Sequence, residues 1–405
     1  MAAKAWIPGG LSLVVAGLAA FAPAPPTFRD DIAPVVVEKC LPCHQKAGIG
    51  PFDFTTYRNF KRNLELIRIQ VLSRNMPPTS AESDFAVLAE NPQLTDREIL
   101  AFQQFYDAGA PEGPTLELPL NRKPAEVGPG LTIASPEVAV AAEGVQYWRA
   151  QTIRLPDREM PIQAMWLVPE KPRVLRSAQF YLIPPGVEPP ADGSPANVFA
   201  EGLTPVGNWS PGYPVWRLPD DTALNLPTGS RILVLAKYQP SGRPESGGFL
   251  LGLKVAESAP AKDLQVVSLE DKGFEIKPDT SPTISLTKKI GEDSEILGLI
   301  PQARFYCGSQ SNSIQVPGRP AQNLLSVPKW DPFWLGSYVF PKPVAAPAGT
   351  NLQFRFTYFN DERCQMNEKR DPTTVRYGTG PYDEVCRMHI LIARPRTVTS
   401  ARPRT

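Results

Sequence analysis

Cys40-Leu41-Pro42-Cys43-His44 is the stretch on which the reading of this 405-residue chain turns. Two thiols three residues apart, followed at once by an imidazole, have the spacing of covalent c-type haem attachment. The thiols bond the two vinyl groups and the imidazole reaches the iron as proximal ligand. A redox dithiol or half of a zinc site shares the Cys-x-x-Cys spacing. Only two histidines occur, His44 and His389, so chemistry needing several imidazoles has little to work with. Haem iron in electron carriers usually takes Met as its second axial ligand, and Arg74-Asn75-Met76-Pro77-Pro78 supplies one. The two prolines exclude helix there and hold an extended loop. The candidate cofactor-binding residues are therefore Cys40, Cys43, His44 and Met76, with His44 and Met76 as the axial iron ligands.

The flanking segments predict three helices. Arg29 to Lys39 carries Ile32, Val36 and Val37, with Pro34 in the first turn, where proline is tolerated. Thr55 or Thr56 caps a second helix through Leu64, Ile67, Val71 and Leu72. Thr95-Asp96-Arg97-Glu98 is a capping box that opens a third, running through Ile99, Leu100, Phe102 and Phe105 to Gly109.

Beyond a Pro/Glu/Gly-rich linker at 114–129, strand-like runs take over. They are Gln146 to Arg149, Met165 to Val168, Ala178 to Ile183, Arg231 to Tyr238, Phe249 to Val255, Ile296 to Ile300, Ala303 to Tyr306, Leu324 to Val327, Leu352 to Phe359 and His389 to Ala393. The 47 prolines are scattered among them and suit antiparallel sandwiches with many turns. Ser258-Ala259-Pro260-Ala261 breaks the run of strands. The expected fold class is multidomain α and β: a small all-α domain at 26–113, then β-sandwiches at 130–257 and 263–397.

Forty-two basic against 41 acidic residues leave the chain nearly neutral, with no electrostatic case for nucleic acid. Residues 1–25, with Lys4 and an apolar stretch from Ile7 to Ala22, read as a signal peptide, with an N-terminal membrane anchor as the alternative. Either implies export, periplasmic or membrane-associated. Cys307, Cys364 and Cys386 remain once the haem pair is set aside, and an oxidising compartment permits one disulfide among them. Cys364 with Cys386 is the favoured pairing of the three.

Residues 28 to 113 resemble a class I monohaem cytochrome c. The matching features are the haem motif, Gly50-Pro51-Phe52, Arg74-Asn75-Met76-Pro77-Pro78, Leu94-Thr95-Asp96-Arg97-Glu98-Ile99 and Asp107-Ala108-Gly109-Ala110-Pro111. Residues 130 to 395 resemble the two-domain copper type II ascorbate-dependent monooxygenases, relatives of peptidylglycine hydroxylating monooxygenase. Leu226-Pro227-Thr228-Gly229-Ser230, Tyr238-Gln239-Pro240-Ser241-Gly242, Ser326-Val327-Pro328-Lys329-Trp330 and Asp383-Glu384-Val385-Cys386 carry that likeness.

The second resemblance implies two coppers held mainly by histidine, and the chain departs from it at those positions. Lys237-Tyr238-Gln239-Pro240, Arg176-Ser177 and Pro301-Gln302-Ala303-Arg304 stand where the family places its ligands. Lys and Arg carry no donor pair for a cation, so copper is not expected. His389, beside Met388, reads as a hydrogen-bonded structural residue.

The resemblances together imply an exported electron carrier with one covalent haem c, more an electron-transfer protein than an enzyme. Its degenerate monooxygenase-like sandwiches would serve as scaffold or docking module. Expected partners are redox proteins or a membrane respiratory or photosynthetic complex. The alternative is a divergent copper-dependent monooxygenase with a haem electron-input domain.

Overall fold

A computed structural model describes residues 24–78, 81–85, 93–114, 120, 130–211, 215–368 and 370–396. Nearly all of the 1–25 leader and the 114–129 linker lies outside the described residues.

Strands dominate. The first group is β1 (Leu131–Ala134), β2 (Ala139–Val140), β3 (Tyr147–Arg154), β4 (Met160–Pro169), β5 (Leu175–Ile183), β6 (Thr204–Trp209), β7 (Trp216–Arg217), β8 (Thr222–Leu226), β9 (Arg231–Tyr238), β10 (Glu245–Ser246) and β11 (Phe249–Val255). The second is β12 (Lys262–Asp271), β13 (Glu275–Ile276), β14 (Thr283–Lys289), β15 (Ser294–Gln302), β16 (Cys307–Gln315), β17 (Gln322–Val327), β18 (Tyr338–Ala346), β19 (Asn351–Tyr358), β20 (Val375–Arg376) and β21 (Cys386–Pro395).

In the first group a four-stranded sheet, β3-β9-β5-β6, shares one core with the sheet β1-β11-β4-β8. In the second, β14-β19-β16-β17 shares a core with β12-β21-β15-β18. A short parallel pairing of β12 on β8, Lys262 with Thr222 and Asp263 with Ala223, fuses two of these sheets into one nine-stranded sheet.

β21 shows why the two halves are interlocked. Side chains alternate across a strand, and here both faces are covered. Met388, Ile390 and Ile392 enter the second core, while Leu391 and Ala393 enter the first. β15 divides likewise, Ile296 and Leu299 one way, Leu297 and Ile300 the other, around a register shift between Ile296 and Gly298. A strand buried on both faces reads as a continuous apolar run, not as an alternation. Cys386 to Ala393 is buried at every residue, apolar except for Arg387 and His389.

Between the two halves, Arg387 is nearly sealed. It donates to Glu201 from the first group, at 2.9 Å, and to Glu270 and Gln302 from the second, at 3.0 and 3.1 Å.

The N-terminal region is helical and short. Wide π-type turns, Phe28–Ile32 and Val36–Cys40, flank α1 (Ala33–Val35), and α2 (Tyr57–Arg62), α3 (Leu64–Leu72) and α4 (Asp96–Asp107) follow. Thr56 caps α2 by accepting from the Asn59 amide, and Asn63 divides the expected second helix in two. Thr95 and Glu98 close the capping box of α4. Phe28, Phe60, Phe102 and Phe105 cluster beneath them.

The expected multidomain α and β class, with a small all-α cytochrome c domain, is corrected. The protein is predominantly β, about 40% strand against 12% helix, in several sheets. The physical reason lies at residues 81–85, which sequence periodicity passes over. Glu82 and Ser326 exchange two backbone hydrogen bonds of 2.8 Å, adding this segment to the edge of β17. Ala81 enters the second core, with Phe85 packed against it. The helices are thus tied by main chain to a sheet. Ala303 to Tyr306 is a further correction, since it forms the turn between β15 and β16 and not a strand.

Candidate functional site

The turn after Val36–Cys40 places the motif. The amides of Cys43 and His44 both donate to the Cys40 carbonyl, at 3.1 and 2.9 Å, so Cys40, Cys43 and His44 are gathered on one turn. Both cysteines are half-buried and neither is in a disulfide. Burial, reinforced by Cys43, pushes the Cys40 thiol up to about 12.

His44 is oriented by two neighbours. Its ring stacks on Phe54, centroids 4.6 Å apart and planes 15° apart. Its Nδ1 lies 3.2 Å from the Phe52 carbonyl oxygen. A carbonyl oxygen only accepts, so Nδ1 holds the proton and Nε2 keeps its lone pair, the tautomer a metal requires. Burial lowers the imidazole below its ordinary value, with the Phe52 bond opposing and the Arg176 charge adding, and the ring is neutral at pH 7.

The 45–50 loop closes tightly over this turn. A Cβ at Gly50 would stand 2.7 Å from His44 Nδ1, and one at Gly48 would stand 2.4 Å from the Cys43 carbonyl oxygen. Glycine is required at both positions by close approach. The sequence displays the Gly50-Pro51-Phe52 phrase, but not that the Phe52 carbonyl fixes the tautomer or that Phe54 supports the ring.

Met76 lies elsewhere. It follows α3 after Arg74, which adopts a left-handed φ of 54°. The amides of Asn75 and Met76 both donate to the Gln70 carbonyl, at 2.9 and 3.2 Å, so the loop is fixed in main chain. The Met76 side chain is 41% exposed and lines a cleft of about 980 Å³ against the second strand group. Cys40, Cys43 and His44 share one turn, and they do not line the cleft that Met76 lines.

The residues at the expected copper positions are occupied in other ways. Lys237 lies 5.7 Å from the Trp148 ring centroid and 4.6 Å from that of Phe333, and burial pulls its amine down to about 8. Gln302 donates to the Tyr181 hydroxyl at 3.3 Å. Arg304 donates to the Asp383 and Gly380 carbonyls. Among the described residues no group of three or more His, Cys, Asp and Glu side chains could hold a metal ion.

His389 is buried on β21, with Nδ1 2.8 Å from Ser268 Oγ, and burial pulls it down to about 3. Cys364 and Cys386, the favoured disulfide, are free, as is Cys307. All three thiols are raised by burial. They approach Glu384, whose carboxylate accepts from the Tyr306 and Val385 amides at 2.8 and 2.7 Å and is pushed up to about 7 by burial. No described helix is long and apolar enough to cross a membrane.

A scan of protein families matches none, and a search of curated proteins finds no relative. Solved structures similar to the chain include PNGase F, a glycosylasparaginase from Flavobacterium meningosepticum, at 10% identity and TM-score 0.28 over 66% of this chain and 97% of that one. PNGF-II is similar at 8% identity and TM-score 0.29, over 66% of each chain. The major capsid protein P2 of bacteriophage PM2 is similar at 9% identity and TM-score 0.24, over 66% of this chain and 99% of that one. The resemblance to a class I cytochrome c fused to a degenerate copper monooxygenase is therefore corrected. No family model supports it, and the chain is mostly sheet, about 40% strand against 12% helix.

Proposed function

We propose that the protein is an exported electron-transfer protein that binds one haem c covalently through Cys40 and Cys43, with the β layers holding that turn for a redox partner. The observation that carries this reading is the conjunction on a single turn of Cys40, Cys43 and His44, the imidazole held with Nδ1 3.2 Å from the Phe52 carbonyl oxygen.

When bound, the haem supplies one-electron chemistry at iron. Cys40 and Cys43 offer their sulfurs for two thioether links. His44 offers Nε2, with its Nδ1–H held by the Phe52 carbonyl and its face supported by Phe54. Such support fixes ring orientation and raises ligand basicity. Met76 remains the proposed sixth ligand, on a loop whose main chain is anchored to Gln70. Covalent attachment outside the cytoplasm accords with the leader-like composition of residues 1–25, and partners are expected among redox proteins.

Visible spectroscopy with a reductant tests the reading. A reducible low-spin haem spectrum is expected, and Met76→Ala should shift both spectrum and reduction potential. A haem-bearing protein with no reversible redox response would overturn the electron-transfer role.

A further inference from the structure

The cleft beside Met76 has features that attachment at Cys40 and Cys43 does not use. It lies between the loop following α3 and the turns after β15, β17 and β19, and its volume of about 980 Å³ falls within the range of small-molecule sites. Cations outnumber carboxylates along its lining, four to two. Its walls are also aromatic. Arg363 sits over the Phe359 ring at 4.0 Å and Arg370 over the Tyr382 ring at 3.9 Å. Flat, cation-backed walls of this kind suit a ring bearing negative charge.

Two buried donors narrow the chemistry. Trp330 lines the cleft at 5% exposure, and its Nε1–H has no partner among the described residues. Arg370 Nε–H is buried and unpaired as well, although the same guanidinium donates to the Tyr306 hydroxyl at 3.1 Å and to Thr373 Oγ at 3.0 Å. Indole and guanidinium nitrogens only donate, so what they lack is an acceptor. Both atoms are covered by neighbours, and pairing needs a rotamer shift at the wall. Phe333 and Tyr382, 42% and 48% exposed, leave room for one.

We propose that this cleft binds a planar aromatic carboxylate, with its ring against Phe333 and Tyr382 and its carboxylate accepting from Arg370 and Trp330. The inference does not rest on the haem reading, with which the cleft shares only Met76; none of Cys40, Cys43 and His44 lines it.

Calorimetric titration of the full chain with 2-naphthoate tests it, with neutral 2-naphthalenemethanol as control. Saturable binding of the anion is expected, with the alcohol at least about tenfold weaker, as the loss of a charge-assisted pair implies. Arg370→Gln should weaken naphthoate by about tenfold and leave the alcohol unchanged. Trp330→Phe keeps a ring, removes the donor, and should weaken naphthoate by a smaller factor. Circular dichroism confirms that each variant is folded. The Cys40→Ala/Cys43→Ala chain, with no haem held beside Met76, should still bind naphthoate saturably and in preference to the alcohol, so failure of the haem reading leaves this result intact. No saturation at millimolar naphthoate, equal affinity for the alcohol, or binding only in the cysteine-free chain would overturn the proposal.

Discussion

The two histidines mark two regions that treat the same side chain in opposite ways. His44, in the helical region, is half-buried, held by a carbonyl through Nδ1 and left with a free lone pair on Nε2. His389, on a strand with both faces covered, bonds Ser268 through Nδ1 and keeps Nε2 sealed without a partner. Around His44 the chain packs a small aromatic cluster and leaves Leu66, Ile69, Leu72 and Leu100 exposed. Around His389 nearly every neighbour belongs to one of two large cores. An imidazole becomes a ligand candidate when its support is polar on one side only, and a structural residue when burial closes both.

The sharpest way to break this contrast is acid. His389 titrates near 3 in the fold against an ordinary 6.5, because burial, and then the Arg387 charge, oppose the imidazolium. The unfolded chain therefore binds the extra proton between those values. Stability is complete above pH 6.5 and is lost as pH falls toward 3, by roughly 4–5 kcal/mol at 1.36 kcal/mol per unit. Chemical denaturation of the parent and of His389→Gln across this window should differ by this slope, the parent losing stability more steeply toward acid. Glu384 contributes an opposite slope between 4.5 and about 7, but it is common to both chains and cancels in the difference.

Removing shared packing comes next. Leu391→Ala opens the first core from a strand that also walls the second, and should cost about 3 kcal/mol in a single cooperative transition. Leu100→Ala, at 55% exposure on α4, should change stability by less than about 0.5 kcal/mol. Two separate transitions in Leu391→Ala would contradict the interlocking of the two halves.

Arg387→Ala should lower the denaturation midpoint by the equivalent of about 2 kcal/mol. It strands the buried Gln302 oxygen, whereas Glu201 and Glu270 can turn to water. A smaller cost than that of Arg387→Ala belongs to the helical region. Thr95→Ala removes the α4 cap and should cost about 1 kcal/mol, seen as faster amide exchange in the first turn of α4.

Local chemistry was legible in the sequence where a few adjacent residues decide it. The capping box at Thr95, the cap at Thr56 and the strands at 231–238 and 249–255 follow from short-range patterns. The gathering of Cys40, Cys43 and His44 is also written into their spacing. What escaped depends on distant partners. The addition of Glu82 to β17 has no periodic signature, and it turns an expected helical domain into an appendage of a sheet. Ala303 to Tyr306 looks like a strand because Ala303 and Tyr306 are apolar, yet the amides of Arg304 and Tyr306 turn inward to Glu384, eighty residues away. The cleft that Met76 lines against the second strand group likewise has no signal in the residues around Met76.

The central claim is that the turn at Cys40 to His44 is a covalent haem site on a β-rich protein. Intact mass measurement of the denatured, exported protein tests it most directly. The account predicts one haem retained per chain, reduced to none in Cys40→Ala/Cys43→Ala with the fold preserved by circular dichroism. A folded, exported parent chain whose Cys40 and Cys43 still react with alkylating reagent and which carries no haem mass would contradict it.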